Sequence, residues 1–413
     1  MSALPDEPRE VRAIDGQLSA ALEEVVDVEF DDQIDVDAGL DRRLTDLTAV
    51  IESGPSCRVE TGGEGRAYRL VGEVAVGLDP EGVVVRQSTG MIYVACSRSN
   101  WVAVVDGDEL RVVGTIAVGG EPIDIVVDEQ TGRVFTADAR SDQISVIDAD
   151  AGEVIATIPV GCYPAGLCVD VEGRRLYSGD AVGSTMSVID LDRLERIGVV
   201  DAELGAGAIG ADVANGRVYC VNFVASSVTV VDARTLDVVG RLPLLAGPCA
   251  VGVHARSGEV YVADSLASTV TRIDGLRIEK IAEMPVPNAP VGLAMGSRGD
   301  RLYIGNRGDG SVSVLGLDGV EWSRVPVGAA PGGVCEDPCR PGRVLVANAG
   351  SGTLSIAEDL LEAAPGAAVP QRPHPMVGQK MPPLSLPDLW TEQLRDLGEW
   401  AGRKYVLNVF ASW

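Results

Sequence analysis

Short runs of alternating apolar and polar residues fill the centre of the chain and recur at a fixed spacing. One stretch shows the form. Residues 123–128 (IDIVVD) and 133–138 (RVFTAD) flank the turn residues EQTG; 143–148 (QISVID) alternates strictly, and after the turn ADAG comes 154–160 (VIATIPV). Period-2 runs of this length, bounded by Gly, Asp and Asn, predict four short β-strands joined by tight turns.

The same unit returns every 42 residues. Large apolar side chains stand at Tyr93, Phe135, Tyr177, Tyr219, Tyr261, Tyr303 and Leu345. Three residues after each comes Cys96, Asp138, Asp180, Asn222, Asp264, Asn306 and Asn348. A third register runs Asp106, Asp148, Asp190, Asp232, Asp274, Gly316 and Glu358. Proline opens most units (Pro80, Pro122, Pro164, Pro248, Pro290 and Pro331), with Ala206 in the fourth. A four-stranded unit of this length, repeated seven times, predicts an all-β, seven-bladed β-propeller. The seventh unit supplies only three strands, ending at 354–358 (LSIAE), and an orphan strand at 68–76 (YRLVGEVAV) precedes the first. Pairing the two would close blade 7 and leave no open sheet edge. The propeller is expected over residues 67–364.

The units resemble the YVTN repeat family, whose Tyr-Val-x-Asn stretch appears here as 261–264 (YVAD), 303–306 (YIGN) and 345–348 (LVAN). The resemblance is specific for architecture. Such propellers serve as scaffolds, as lactonase-like enzymes and as assembly platforms, so it implies no single function.

Outside the ring, residues 1–66 read as an acidic, partly helical extension. Leu40, Leu44, Leu47 and Ile51 share one helical face behind an Asp37 cap, with a second, weaker helix over 16–25. A Pro/Ala-rich linker spans 365–377. Beyond it, 377–389 (VGQKMPPLSLPDL) and 402–413 (GRKYVLNVFASW) resemble the opening of thioredoxin-like redoxins, with 390–400 as a short helical connection. Residues 378–413 are therefore expected to be a truncated α/β thioredoxin-like fragment. In that family the next residues are the Cys-x-x-Cys nucleophile and its resolving partner. Three readings of the stop at Trp413 are open: a truncation, a decayed remnant, or a UGA codon that is decoded as selenocysteine.

Composition narrows the function. The formal charge of −27 repels phosphate backbones and excludes nucleic acid as the expected partner. No apolar run nears the roughly 20 residues that span a bilayer, and residues 1–12 have no signal-peptide pattern. A cytoplasmic location without membrane contact is the expectation. Eight cysteines are scattered through apolar runs, which fits small hydrophobes rather than a disulfide framework. With His254 and His374 the only histidines, and Cys335 and Cys339 the only ligand-like spacing, neither a metal nor a cofactor is implied.

Strand order places the Pro series and the Asp/Asn series on one face. Two roles compete for the Asp/Asn residues: capping of their own turns, or a polar rim able to hold a peptide loop, a cation or a small ligand. The candidate rim comprises Cys96, Arg98, Trp101, Asp138, Arg140, Asp180, Asn222, Asp264, Asn306, Arg307 and Asn348. Small residues at Gly82, Asp124, Gly166, Ala208, Ala250, Gly292 and Gly333 are expected to line the narrow channel. The resemblances together imply a propeller that positions partners for a thiol-disulfide oxidoreductase or thiol peroxidase, with a thiol or disulfide substrate if the second domain is complete. A non-enzymatic scaffold for a protein or peptide is the alternative. A lactonase-like hydrolase is disfavoured, because the channel positions carry no convergent acid–base pair.

Overall fold

The computed structural model describes residues 68–360, together with Ser385–Pro387 and Leu394–Asp396. Chain packing divides the protein into two units, Met1–Ala363 and Ala364–Trp413. The expected N-terminal helices, the linker and the VLNVFASW strand lie outside the described residues. In the second unit Ser385–Pro387 pairs antiparallel with Leu394–Asp396. The helical connection expected over 390–400 is thus interrupted by the strand Leu394–Asp396.

The first unit contains seven four-stranded antiparallel sheets, six of them simple meanders and the seventh completed by the first described strand. Blade 2, for example, consists of Pro122–Asp128, Arg133–Asp138, Gln143–Asp148 and Glu153–Pro159, within a residue of the strands read from its sequence. We call the strands of each blade a to d in chain order. The a strands form a closed inner ring, each packed on its two neighbours, and Pro331–Glu336 of blade 7 packs on Pro80–Arg86 of blade 1.

Closure follows the sequence expectation. Tyr68–Ala75 is the outer strand of blade 7, antiparallel to Thr353–Asp359, with Tyr68 opposite Asp359 and Ala75 opposite Thr353. Tyr68 is fixed further by its hydroxyl, which lies 3.2 Å from that of Tyr303 and accepts from Arg301 Nη1 at 2.6 Å. The described chain therefore enters and leaves the ring at one point.

The core lies between blades. Tyr93, Phe135, Tyr177, Tyr219, Tyr261, Tyr303 and Leu345 are all buried, each packed with Val, Ile and Leu from its own and a neighbouring sheet. Burial of a side chain of this size contributes about 1.5–3 kcal/mol. Two of the small residues of the a strands meet a close neighbour. A Cβ at Gly166 would stand 2.6 Å from the carbonyl oxygen of Gly207, and one at Gly292 would stand 2.1 Å from that of Gly332. At these two glycines it is the backbone of the next blade that leaves no room for a side chain.

Two turn devices recur. The carboxylates of Asp106, Asp148, Asp190, Asp232 and Asp274 accept from the backbone N–H groups two and three residues on, as Asp148 Oδ1 does from Asp150 at 2.9 Å and Ala151 at 3.0 Å. These bonds hold Asp106, Asp190 and Asp232 below the usual carboxylate range. On the same face, Arg133 and Arg343, at the start of their b strands, donate to the c–d turn of the next blade.

Candidate functional site

The d–a and b–c loops share one face, because each a strand starts opposite the end of its b strand: Pro122 pairs with Asp138, and Pro290 with Asn306. This face is the mouth of the ring and carries every candidate residue read from the sequence.

The Asp/Asn series does not form its rim. Asp138, Asp180, Asn222, Asp264, Asn306 and Asn348 are all fully buried. In blade 2, Asp138 accepts from Thr136 Oγ1 at 2.8 Å, Ser145 Oγ at 2.5 Å and the N–H of Gly119 at 3.1 Å. One carboxylate thus ties strands b and c to the incoming d–a loop. Asp180 repeats the knot with Ser178, Thr185 and Ser187. Where asparagine replaces aspartate the hydroxyls reverse their role and accept: Asn306 Nδ2 donates to Ser311 at 3.1 Å and Ser313 at 2.9 Å, and Asn348 Nδ2 to Thr353 at 3.1 Å and Ser355 at 2.9 Å. Burial pushes Asp264 up to about 6 and raises Asp138 and Asp180, while the hydroxyl donors pull the other way. The signal for this knot is in the sequence: Ser or Thr stands seven residues after each Asp/Asn, as at Ser145, Ser187, Thr229, Thr271, Ser313 and Ser355.

Blade 1 replaces the knot with an apolar one. Cys96 takes the position of the acid, Ala103 that of the hydroxyl seven residues on, and Trp101 that of the second hydroxyl five residues on; Cys96 Sγ and Trp101 Nε1 both point to the carbonyl of Val76, at 3.6 Å and 3.3 Å. Cys96 is fully buried, and burial pushes its thiol up to about 11. The expected cluster of thiol, guanidinium and indole is therefore split, with Arg98 outside and Cys96 inside. Other thiols follow suit: Cys168, Cys220, Cys249 and Cys335 are pushed up to about 12 by burial, and Cys162, although exposed, is also raised. None of these carries appreciable thiolate at neutral pH.

The mouth presents side chains one step further along each b–c loop. The second residue after the buried Asp, Asn or Cys is Arg98, Arg140, Val182, Val224, Leu266, Gly308 and Gly350 in blades 1 to 7. Arg98 pairs with Asp79 at 3.3 Å and Arg140 with Glu121 at 2.8 Å, both on the adjoining d–a loop. Exposed ion pairs of this kind add at most about 1 kcal/mol. Blades 3 and 4 present apolar groups instead: Val182 is 49 % exposed, Val224 40 % and Leu204 55 %. Arg307 sits one position earlier and reaches Glu81 at 3.4 Å.

This surface can recognise a chain by apolar contact and by hydrogen bonds from guanidinium groups. Among the described residues it does not assemble a nucleophile, a base and an oxyanion donor. Among the described residues no group of three or more His, Cys, Asp or Glu could hold a metal ion. His254 lies on the opposite face, where its Nδ1 is 2.6 Å from Ser257 Oγ. No helix among the described residues is long and apolar enough to cross a membrane.

Seven sheets of one repeat, closed by an N-terminal strand, define a seven-bladed propeller of the short-repeat type. The sequence profile of the YNCE-like β-propellers matches residues 69–301, more than half of the chain, and the chain belongs to that family. No curated protein matches it. Among solved structures the chain is similar to the hydrazine synthase of Kuenenia stuttgartiensis, with 21 % identity and a TM-score of 0.62, over 68 % of this chain and 96 % of that one. At that identity the likeness is one of fold.

Proposed function

We propose that the propeller is a binding platform for a protein or peptide, engaged at the mouth. One observation carries this reading. At a single loop position, on a backbone repeated seven times, the side chain changes from Arg98 and Arg140 to Val182 and Val224 and then to Gly308 and Gly350. A ring that used the position as a fixed joint would keep a narrow set of residues there, as it does with Asp or Asn at the buried position of blades 2 to 7. Loops set on a rigid scaffold are the usual seat of recognition. The test is a photo-cross-linking side chain placed at position 182 or 224, with position 276 on the opposite face as control, in cells that make the protein. A discrete adduct from the mouth positions alone supports the platform; adducts from 276 alone overturn it.

The C-terminal sequence favours a finer reading. The match of residues 377–413 to the start of a redoxin supports a fusion in which the platform delivers partners to a thiol or selenol centre beyond Trp413. The raised thiols of the propeller agree with such chemistry residing outside the ring. On this reading the 413-residue chain reduces insulin disulfides no faster than background, and a form extended by the downstream redoxin residues does so. Activity of the 413-residue chain itself would overturn it.

A further inference from the structure

Arg307 differs from its counterparts in the other blades. The first residue after the buried Asp, Asn or Cys is Ser97, Ala139, Ala181, Phe223, Ser265, Arg307 and Ala349. Ser97, Ala139, Ser265 and Ala349 are buried, whereas Arg307 is about a quarter exposed. Its backbone is fixed by the bond from the N–H of Arg307 to the carbonyl of Ala289 at 2.8 Å. From blade 6 the guanidinium passes blade 7 and meets Glu81 of blade 1, at 3.4 Å.

Glycine in blade 7 makes that reach possible. A Cβ at Gly332 would lie 2.6 Å from Glu81 Oε2, and one at Gly333 would lie 2.3 Å from the carbonyl oxygen of Glu81. Glu81 is the second residue of its a strand, where the other blades carry Ile123, Ala165, Gly207, Cys249, Val291 and Gly332. Glu81 is thus the one charged residue at this strand position; the carboxylate of Asp124, one position further along its own a strand, is held by the N–H groups of Leu167 at 2.7 Å and Ile125 at 2.8 Å. Burial raises the Glu81 carboxyl and nearby Asp79 raises it further, while Arg307 pulls the other way. The pair itself is weakly built. One long contact joins two side chains that are each about a quarter exposed, although a guanidinium offers five N–H donors in a fork that suits a bidentate carboxylate.

We propose that Arg307 is the anchor of a carboxylate-binding site at the channel mouth, held in the free protein by Glu81, which an incoming monocarboxylate displaces. The ligand carboxylate takes the guanidinium fork, and its apolar body enters the neck beside Ile123, Ala165 and Val291. Glu81, left without its counter-charge, takes up a proton from solvent. A dianion is disfavoured by Asp79 and by the −27 charge of the chain. The carboxylate has two sources, a free small acid or the C-terminus of a bound peptide.

Titration calorimetry on the 413-residue chain tests this with three probes: benzoate, a hexapeptide ending in Val with a free C-terminus, and the same peptide amidated. Glu81→Gln is expected to tighten binding of the carboxylate probes about tenfold, and Arg307→Ala to abolish it. Benzoate binding alone assigns a small-acid site; loss of peptide binding on amidation assigns a C-terminus site. Arg307→Gln, which keeps bulk and donors without charge, separates loss of the anchor from loss of the fold. Equal binding by wild type, Glu81→Gln and Arg307→Gln, or no binding of either carboxylate by Glu81→Gln, overturns the proposal. Failure would leave the platform reading intact, since that reading rests on the outer residues Arg98, Arg140, Val182 and Val224.

Discussion

Arg343 of the last blade donates from Nη1 to the carbonyl oxygen of Gly107 in the first, at 2.8 Å. Arg133 makes the equivalent contact with Leu191 one blade on, at 3.1 Å, and Arg175 with Ala233. In blade 6, Arg301 turns to Asp359 at 3.3 Å. The seam between the last blade and the first is thus stapled in the same way as the other joints between blades.

Removing that staple should cost as much at the seam as elsewhere. Arg343→Ala is expected to destabilise the protein by about 1.5–3 kcal/mol, the range for a bond to a charged group. Its added contact with Glu358, at 2.7 Å to Nε, puts it at or above Arg133→Ala. Urea denaturation of the two variants measures this. A seam variant that costs nothing while Arg133→Ala costs its full amount would show that the seam is not held by this bond.

Closure by Tyr68–Ala75 protects the edge of Thr353–Asp359. Deleting residues 68–75 leaves a row of unpaired backbone groups, and the expected outcome is self-association. Light scattering after size exclusion should show oligomers for the deletion and a smaller species for the parent chain.

The buried knot makes a pH prediction. Asp264 titrates at about 6 in the folded protein against 3.8 when free. Because the folded value is the raised one, its stabilising effect is complete below about pH 4 and is lost as pH rises through about 6. Asp264→Asn removes the titration, and the hydroxyls of Thr269 and Thr271 can reverse as their counterparts do at Asn306 and Asn348. Relative to wild type the variant is expected to gain about 2–3 kcal/mol between pH 4 and pH 8. Chemical denaturation at both pH values checks this; a flat difference would contradict it.

Thiol reactivity should follow burial. At pH 8, Cys162 is expected to react first with a disulfide reagent among the cysteines of the described residues, and Cys96 and Cys220 only on unfolding, since both are fully buried. Labelling followed by peptide mass spectrometry identifies the order.

Much of the ring was legible in the sequence because the repeat carries no insertions in its main registers. The 42-residue spacing of Tyr93 through Leu345 and the orphan strand before Pro80 were enough to predict blade number, strand ends and closure. Which side chains reach solvent was not legible. Asp138 and its counterparts sit at a strand end, where alternation no longer tells inside from outside, and only their hydroxyl partners at Ser145 and Ser187 reveal a buried knot. The small residues at Gly166 and Gly292 likewise answer to the backbone of the next blade, a contact between segments some 40 residues apart. The b-strand arginines recur in plain sight, but their partners are backbone carbonyls, which leave no mark in a sequence.

Selection of a random peptide library on the immobilised 413-residue chain tests the platform most directly. Enriched peptides are then re-measured on two variants. One carries Arg98→Ala, Arg140→Ala, Val182→Asp and Val224→Asp at the mouth. The other carries Leu276→Asp and Val320→Asp on the opposite face, where both residues are exposed. The platform reading predicts a loss of about tenfold or more on the mouth variant, the scale of one lost anchor contact, and no change on the other. Peptides that keep their affinity for the mouth variant, or a library that yields no binders, would contradict it.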